Sequence, residues 1–112
     1  MSTRATVHFQ YNGETAAIVY RHSDGYPEGL GEDLKKFFKD VQNQTSDTRF
    51  DDPSYLAAKF VVWQAAQYAR DKAKPLEFLS VGVILEDPGD IRYRYLLECS
   101  GGVPKIKIEG VK

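Results

Sequence analysis

The segment that most constrains the fold is a helix that is apolar on nearly every side. Asp52-Pro53 predicts its start, because the carboxylate caps free N–H groups and proline suits the first helical position. Lys74-Pro75 predicts its end near Ala73. The polar positions form only a narrow stripe: Lys59, Gln67 and Arg70. The apolar positions are Leu56, Ala57, Ala58, Phe60, Val61, Val62, Trp63, Ala65, Ala66, Tyr68 and Ala69. Such a helix must be covered on more than one side, either by a sheet and another helix together or in part by a second subunit.

Two alternating segments near the N-terminus predict a β-hairpin. Asn12-Gly13 separates them, and both residues accept the positive φ that a type I′ turn requires. A two-residue turn places Phe9 opposite Ala16 and Val7 opposite Ile18. The apolar residues of both strands then share one face of the hairpin.

A second amphipathic helix is predicted between the hairpin and the apolar helix. Its apolar residues recur at helical spacing: Leu30, Leu34, Phe37, Phe38 and Val41. Gly29 and Gly31 weaken the helix before about Leu30, so we expect it to start there. The polar stretch 42–51 predicts a surface loop.

The last third of the chain predicts three strands, at residues 81–85, 91–99 and 103–109. A Gly101-Gly102 turn sets four pairs across the final hairpin: Leu97 with Ile106, Tyr95 with Ile108, Glu98 with Lys105, and Arg94 with Glu109. The last two pairs bring opposite charges together, which supports this register.

The first two of these strands are also expected to form a hairpin. A three-residue Pro88-Gly89-Asp90 connection with a left-handed Gly89 sets Val83 and Leu85 against Tyr93 and Tyr95, which keeps one apolar face. The element order is then ββααβββ. We predict an α+β two-layer sandwich, with a mainly antiparallel five-stranded sheet and two helices on one face, as a single domain over residues 1–112.

Composition excludes several classes of function. The 112 residues carry a formal net charge of −1, which gives no global attraction to nucleic acid or an anionic membrane. No apolar run approaches the ~20 residues of a membrane span, and the N-terminus lacks a signal-peptide apolar core. We therefore expect a cytoplasmic protein without a membrane partner.

Metal and thiol chemistry are not expected either. His8 and His22 fall several residues apart on neighbouring strands, without the spacing of a zinc site, so we predict no metal and no cofactor. Cys99, the only cysteine, falls on the same face of its strand as Tyr93, Tyr95 and Leu97, the face that points inward. It is therefore predicted to be a small core residue. The chain has no Gly-x-Ser-x-Gly and no phosphate-binding Gly-x-x-x-x-Gly-Lys sequence.

Nucleic acid is not an expected partner. Arg92, Arg94, Lys105 and Lys107 form a basic strip on one face of the predicted sheet, whereas Tyr93 and Tyr95 take the opposite face. Base stacking requires aromatic and basic residues on the same exposed face. The strip is therefore predicted to be a solvated face.

The connection between the second strand and the first helix holds the candidate site. Five side chains there are candidates for binding a ligand or a partner: Arg21, His22, Asp24, Tyr26 and Glu28. Connections on a rigid scaffold are the usual place for binding residues. Nothing else in the sequence concentrates as many chemically capable side chains.

Three interpretations of this connection stay open. His22 and Asp24 are two residues apart, and an aspartate can orient an imidazole for acid–base chemistry. Alternatively, Arg21 beside a glycine-bearing helix start favours anion binding, although Glu28 already occupies that positive helix end. In the structural interpretation, Asp24-Gly25 forms a turn and the other glycines permit close backbone contact.

Residues 20–29, Tyr-Arg-His-Ser-Asp-Gly-Tyr-Pro-Glu-Gly, resemble the Tyr-x-His-Trp-Asp-Gly-Tyr-Pro-Glu pattern of small uncharacterised bacterial and phage or prophage proteins. Asp90 to Tyr95 is similar, more loosely, to a late strand of the same proteins. Ser23 departs from the pattern, where an aromatic residue is usual. The resemblance implies a mobile-element origin and a host-directed binding role, without an established activity.

These observations predict a small binding protein rather than an enzyme. It is expected to engage a protein partner, or itself, through the connection 20–31 and an exposed part of the apolar helix. The alternative is binding or hydrolysis of a phosphorylated small molecule in the connection 21–31, at Arg21, His22 and Asp24.

Overall fold

The computed structural model describes residues 2–111 and contains five strands and two α-helices. The elements, in chain order, are β1 (Ala5–Tyr11), β2 (Glu14–Arg21), α1 (Glu32–Gln44), α2 (Pro53–Tyr68), β3 (Val81–Ile84), β4 (Tyr93–Glu98) and β5 (Lys105–Gly110). A π-helical turn, Pro27–Gly31, leads into α1. The order ββααβββ and the α+β class are confirmed.

The sheet has the strand order β3-β2-β1-β4-β5. All neighbouring strands are antiparallel except β1 and β4, which are parallel. β1 is therefore the central strand, and five consecutive residues of it are buried: Ala5, Thr6, Val7, His8 and Phe9. Both faces of the sheet are covered at its centre, by the helices on the front and by other parts of the chain on the back.

The first hairpin forms at the predicted turn but in a different register. Asn12 and Gly13 have positive φ angles of 52° and 82°. A β-bulge in β2, where Ala16 is the extra residue opposite the step from Phe9 to Gln10, then shifts the pairing by one residue. Phe9 lies across from Ala17 and Val7 across from Val19. The prediction of Ala16 and Ile18 at these positions is wrong, because the sequence pattern does not reveal the bulge.

The bulge decides which residues of β2 face the helices. Val19 now shares the front face with Val7, and Arg21 follows it two residues later. Ile18 pairs with His8 on the back. An arginine is therefore buried on the helix side of the sheet, where it needs polar partners.

The predicted hairpin between β3 and β4 is wrong. Val83 of β3 lies across from Val19 of β2, and Tyr95 of β4 lies beside Val7 of β1. Gly89 does have the expected left-handed φ, 84°. The two strands are joined by a crossover (residues 85–92), because burial of β1 at the centre requires a neighbour on each of its edges.

The last hairpin is confirmed in register. The observed pairs are those predicted: Leu97 with Ile106, Tyr95 with Ile108, Glu98 with Lys105, and Arg94 with Glu109. Arg94 Nη1 donates to Glu109 Oε1 at 3.1 Å. Of the two turn glycines, only Gly102 has a positive φ, 80°.

The helices begin close to where the sequence predicts, but α2 is shorter. Asp52 caps α2, since its Oδ1 accepts from the N–H of Tyr55 at 3.4 Å. The helix ends at Tyr68 rather than Ala73, because Ala69 leaves the helical region (φ −57°, ψ 129°) and is buried. Residues 70–78 after it are exposed.

The core lies between the sheet and one side of the two helices. Phe60 is its centre: its ring lies 5.0 Å from that of Phe37 and 6.1 Å from that of Phe9, measured between centroids. Trp63 stacks on Phe60 at 6.2 Å, and its indole N–H donates to Asp40 Oδ2 at 2.8 Å. The sheet and α1 together cover this side of α2.

The opposite side of α2 is exposed. Tyr55 and Val62 are 56% and 69% exposed. Of the two coverings that the sequence permits, the sheet and α1 therefore account for one side of the helix. On the other side Val62 stays exposed within residues 2–111, and only the Arg49 guanidinium lies near the Tyr55 ring, 4.6 Å from its centroid.

On the back of the sheet, His8 is buried beneath the crossover. Its Nε2 lies 3.2 Å from Thr6 Oγ1 and 4.0 Å from Asp87 Oδ2. Asp87 in turn accepts from Arg94 Nε at 2.6 Å. Burial lowers the pKa of His8; Asp87 opposes this shift and Arg94 adds to it.

Stability is expected to fall as the pH is lowered through and below about 6.5, the ordinary pKa of histidine. The pKa of His8 in the folded protein is below its ordinary value of ~6.5. The contribution of His8 to folding stability is therefore complete above pH ~6.5, and it is lost as the pH falls through the folded-state pKa. Urea denaturation at several pH values measures this change. His8→Gln is expected to flatten this pH dependence, and the same substitution at the other histidine, His22→Gln, is the control variant. An unchanged pH dependence in His8→Gln would contradict the assignment.

Candidate functional site

The candidate site is built around Arg21, the last residue of β2. Its side chain is buried between the sheet and the helices. Nη1 donates to Asp33 Oδ2 at 2.7 Å, and Nε donates to the carbonyl oxygen of Ser23 at 2.9 Å. Asp33 lies in the first turn of α1 and is also buried. Each charge of this pair therefore has a partner that compensates its loss of water.

Helix α2 adds two more polar side chains. The hydroxyl of Tyr68 lies 2.9 Å from both carboxylate oxygens of Asp33, and the Arg21 guanidinium lies 5.2 Å from the centroid of its ring. Burial raises the pKa of Tyr68, and so does its hydrogen bond to Asp33, so the hydroxyl remains a donor at neutral pH. Gln64 Oε1 accepts from Arg21 Nη1 at 3.5 Å. We call Arg21, Asp33, Gln64 and Tyr68 the polar cluster.

A pocket of about 220 Å³ opens beside the polar cluster. The polar residues that line it are Arg21, Ser23, Asp24, Gln64, Tyr68 and Ser80. Its apolar wall comes from Phe78, Leu79 and Val81. We call it the Arg21 pocket. Because Arg21 and Asp33 neutralise each other, the pocket does not present an unpaired positive charge.

Arg21 and Asp24 are the two predicted site residues that this pocket brings together. Asp24 lies at its exposed rim with a positive φ of 55°. His22 belongs to a different region: its Nδ1 lies 2.9 Å from the Tyr20 hydroxyl, and it lines a separate pocket with Arg4. Within residues 2–111, no hydrogen bond joins His22 to Asp24. The acid–base arrangement of these two side chains is not formed.

The other two predicted residues are at the surface. The Tyr26 hydroxyl donates to Asp24 Oδ1 at 3.3 Å, and its ring lines a third pocket beside Tyr93. Glu28 is exposed in the π-helical turn. The five predicted residues are therefore spread over different surfaces rather than converging on one reacting atom.

The glycines of the connection have structural roles. The N–H of Gly25 donates to the carbonyl of Thr3 at 2.9 Å, and its own carbonyl accepts from the Tyr95 hydroxyl at 2.7 Å. A Cβ at Gly25 would lie 2.6 Å from that of Ala5, and one at Gly29 would lie 2.5 Å from the carbonyl oxygen of Asp24. The distance at Gly29 supports its interpretation as a site of close backbone contact, and Gly25, which was predicted as part of a turn, makes a close contact too. Gly31 does not, because a Cβ there would meet no atom nearer than 3.7 Å.

Sequence analysis missed three members of the polar cluster: Asp33, Gln64 and Tyr68. Gln64 does carry a signal, because it lies four residues after Phe60 and so falls on the buried side of α2. Asp33 gives no such signal, since an acidic residue in the first helical turn is common at exposed positions. Its burial depends on Arg21, which the bulge in β2 directs toward it.

A larger apolar groove lies between α1 and α2. It has a volume of about 440 Å³. On α2 its apolar lining follows one helical stripe: Tyr55, Ala58, Val62 and Ala66. On α1 it includes Phe37 and Val41. We call it the helix groove. It combines the exposed side of α2 with the edge of the aromatic core.

Other reactive groups do not add a second site. Cys99 is buried, and burial raises the pKa of its thiol to about 11, so it is protonated at neutral pH. In the described part of the chain, no three His, Cys, Asp or Glu side chains are grouped so that they could hold a metal ion. No helix of residues 2–111 is long and apolar enough to cross a membrane.

Comparison of the chain with protein-family models, with curated proteins and with solved structures finds no significant match. The resemblance of residues 20–29 to bacterial and phage proteins therefore stays a prediction.

Asp33→Asn is expected to lower the free energy of unfolding by about 3 kcal/mol, because it leaves the buried Arg21 charge without its partner. Urea denaturation measures the change. The control is Asp24→Asn. Asp24 is exposed, and asparagine also tolerates the left-handed backbone conformation at this position, so the free energy of unfolding is expected to stay within about 0.5 kcal/mol of wild type.

The double variant Arg21→Met/Asp33→Leu tests the same interpretation. Removing both charges leaves no unpaired ion, so the loss of stability is expected to be smaller than in Asp33→Asn. A double variant at least as unstable as the single one would show that the cluster stabilises the fold through more than charge compensation.

Proposed function

We propose that this chain is a non-enzymatic protein-binding domain that pairs with a second copy of itself through the helix groove. The observation that carries the proposal is the exposed apolar stripe on α2, in which Val62 is 69% and Tyr55 is 56% exposed. Burial of one such side chain contributes roughly 1.5–3 kcal/mol. Contiguous apolar surface on a folded helix is typical of interaction sites.

The stripe is self-complementary, which favours a second copy as the occupant. Ala58 and Ala66 each lie four residues from Val62. A two-fold axis near Val62, with the two α2 helices antiparallel, therefore brings Val62 against Val62 and Ala58 against Ala66 of the other copy. The small alanine side chains let the helices approach closely, since interaxial distance depends on the side chains at the contact.

The charges at the groove are compatible with this arrangement. Lys59 and Asp40 both line it and have opposite signs, so two-fold symmetry allows the cation of each copy to face the anion of the other. The indole N–H of Trp63 already donates to Asp40 at 2.8 Å. Its polar atom therefore needs no new partner when the groove is covered.

The absence of an assembled reaction centre among the described residues supports a binding role. The Arg21 guanidinium is engaged by Asp33 and by the Ser23 carbonyl, and His22 lies in another pocket. A phosphate at the Arg21 pocket would meet a compensated arginine, and the acidic residue Asp24 is also part of the pocket lining. These contacts do not favour the alternative of binding or hydrolysing a phosphorylated small molecule. A mobile-element origin and a host-directed role rest only on the resemblance of residues 20–29.

Val62→Asp is expected to weaken self-association by at least about tenfold, because the dimer would bury an unpaired carboxylate at its centre. Sedimentation velocity over a range of concentrations measures the dissociation constant. Val83→Asp is the matched control: Val83 is 72% exposed, but it lies on edge strand β3, away from the groove. This control is expected to associate like wild type.

Two results would contradict the proposal. One is a wild-type protein that sediments as a monomer at every concentration up to about a millimolar, a range that detects even weak association. The other is a dimer that Val83→Asp weakens as much as Val62→Asp does.

A further inference from the structure

We infer that the back of the sheet, where the crossover reaches β4, holds a binding site for a small hydroxyl-rich molecule with a phosphate group, such as a sugar phosphate. The site is a pocket of about 470 Å³ that shares no lining residue with the helix groove or the Arg21 pocket. Its lining residues are Ser2, Thr3, Arg4, His22, Asp90 and Arg92. We call it the Arg92 pocket. The inference does not depend on self-association.

The register of the sheet brings three nitrogen-bearing side chains of this pocket into one row. Ala5, the first residue of β1, pairs with the last residue of β2 and with the first residue of β4. Arg4 is therefore level with His22 on one side and with Arg92 on the other, and the Arg92 N–H donates to the Arg4 carbonyl at 2.9 Å. Side chains at one level of neighbouring strands point to the same face, here the back, with about 5 Å between strands.

Arg92 supplies an uncompensated positive charge. The residue is exposed, and no carboxylate of residues 2–111 lies within ion-pair distance of its guanidinium. Arg4 differs, because its Nη1 donates to Asp90 Oδ2 at 2.8 Å. The side chain of Arg4 is nevertheless 41% exposed, and its remaining N–H groups make no hydrogen bond in the same part of the chain. Two arginines beside one aspartate leave a net positive charge, which a phosphate complements.

His22 gives the row a third hydrogen-bonding group. Its Nδ1 lies 2.9 Å from the hydroxyl of Tyr20, and Nε2 takes part in no hydrogen bond within residues 2–111. Tyr20 precedes His22 by two residues, so their contact agrees with both side chains lying on the same face. When the Tyr20 hydroxyl donates to Nδ1, Nε2 carries the proton and can donate to a phosphate oxygen. Two guanidinium groups and an imidazole thus serve one tetrahedral anion.

The remaining lining suits a ligand with several hydroxyl groups. Ser2 and Thr3 carry hydroxyls, and the carboxylate of Asp90, which is 66% exposed, can accept from a hydroxyl of the ligand. Among the described residues, the pocket lining includes no apolar residue, so an aromatic or aliphatic ligand would bury little apolar surface there. The volume is within the range of small-molecule sites and leaves room for more than a phosphate ion.

Ribose 5-phosphate is the probe that tests this inference. It is titrated into the uniformly ¹⁵N-labelled full chain, and NMR follows the backbone amide signals of Arg4, His22 and Arg92. We expect saturable shifts of these signals, with a dissociation constant on the order of a millimolar for so small a ligand. Inorganic phosphate is expected to shift the same signals with lower affinity, because it lacks the hydroxyl contacts. Ribose, which lacks the phosphate, is expected to leave them unmoved.

Arg92→Gln removes the uncompensated charge and is expected to weaken binding of ribose 5-phosphate about tenfold. Arg70→Gln, the same substitution at an exposed residue outside the pocket lining, is the control and should bind like wild type. No saturable shift with ribose 5-phosphate, equal shifts with ribose, or equal weakening in the two variants would overturn the inference. The ligand comparison uses the wild-type chain, so the test remains decisive if Arg92→Gln fails to fold.

Discussion

The burial of β1 at the centre of the sheet is the constraint on which the rest of the structure depends. Residues 5–9 are buried without a break, so both faces and both edges of this strand must be covered. Antiparallel β2 and parallel β4 supply the edges. The helices cover the front, and Asp87 of the crossover lies over His8 on the back. A β3–β4 hairpin would have left β1 without its second neighbour.

A buried arginine follows from that arrangement. The bulge in the first hairpin directs Arg21 toward the helices, where isolated charge would be very costly. Asp33 and the Ser23 carbonyl accept from its guanidinium, and Tyr68 donates to Asp33. The polar cluster thus links β2, α1 and α2. Among the described residues, Gln64 Nε2 is the one buried side-chain nitrogen or oxygen that has no hydrogen-bond partner.

Helix α2 has three differently used sides, which accounts for its unusual composition. Phe60 and Leu56 enter the core, Gln64 and Tyr68 meet the polar cluster, and Val62 faces outward. The apolar outward side contributes nothing to the core of this chain. It lies in the helix groove, and this places the proposed self-association surface and the polar cluster on separate sides of one helix.

The sequence by itself determined the element order, the Asp52 cap of α2 and every pair of the β4–β5 hairpin, because these depend on turn residues, helical periodicity and charges close together in the chain. It also named Arg21 among five candidate residues, because this residue lies in the connection between a strand and a helix. Only the tertiary structure decided the neighbours of β1, the bulge that turns Arg21 inward, and the end of α2 at Tyr68. It also decided which side chains contact Arg21: Asp33 lies 12 residues further along the chain, and Gln64 lies 43 residues further along. The physical reason is range: local signals act over a few residues, whereas strand order and buried polar contacts follow from competition among distant segments for the same core.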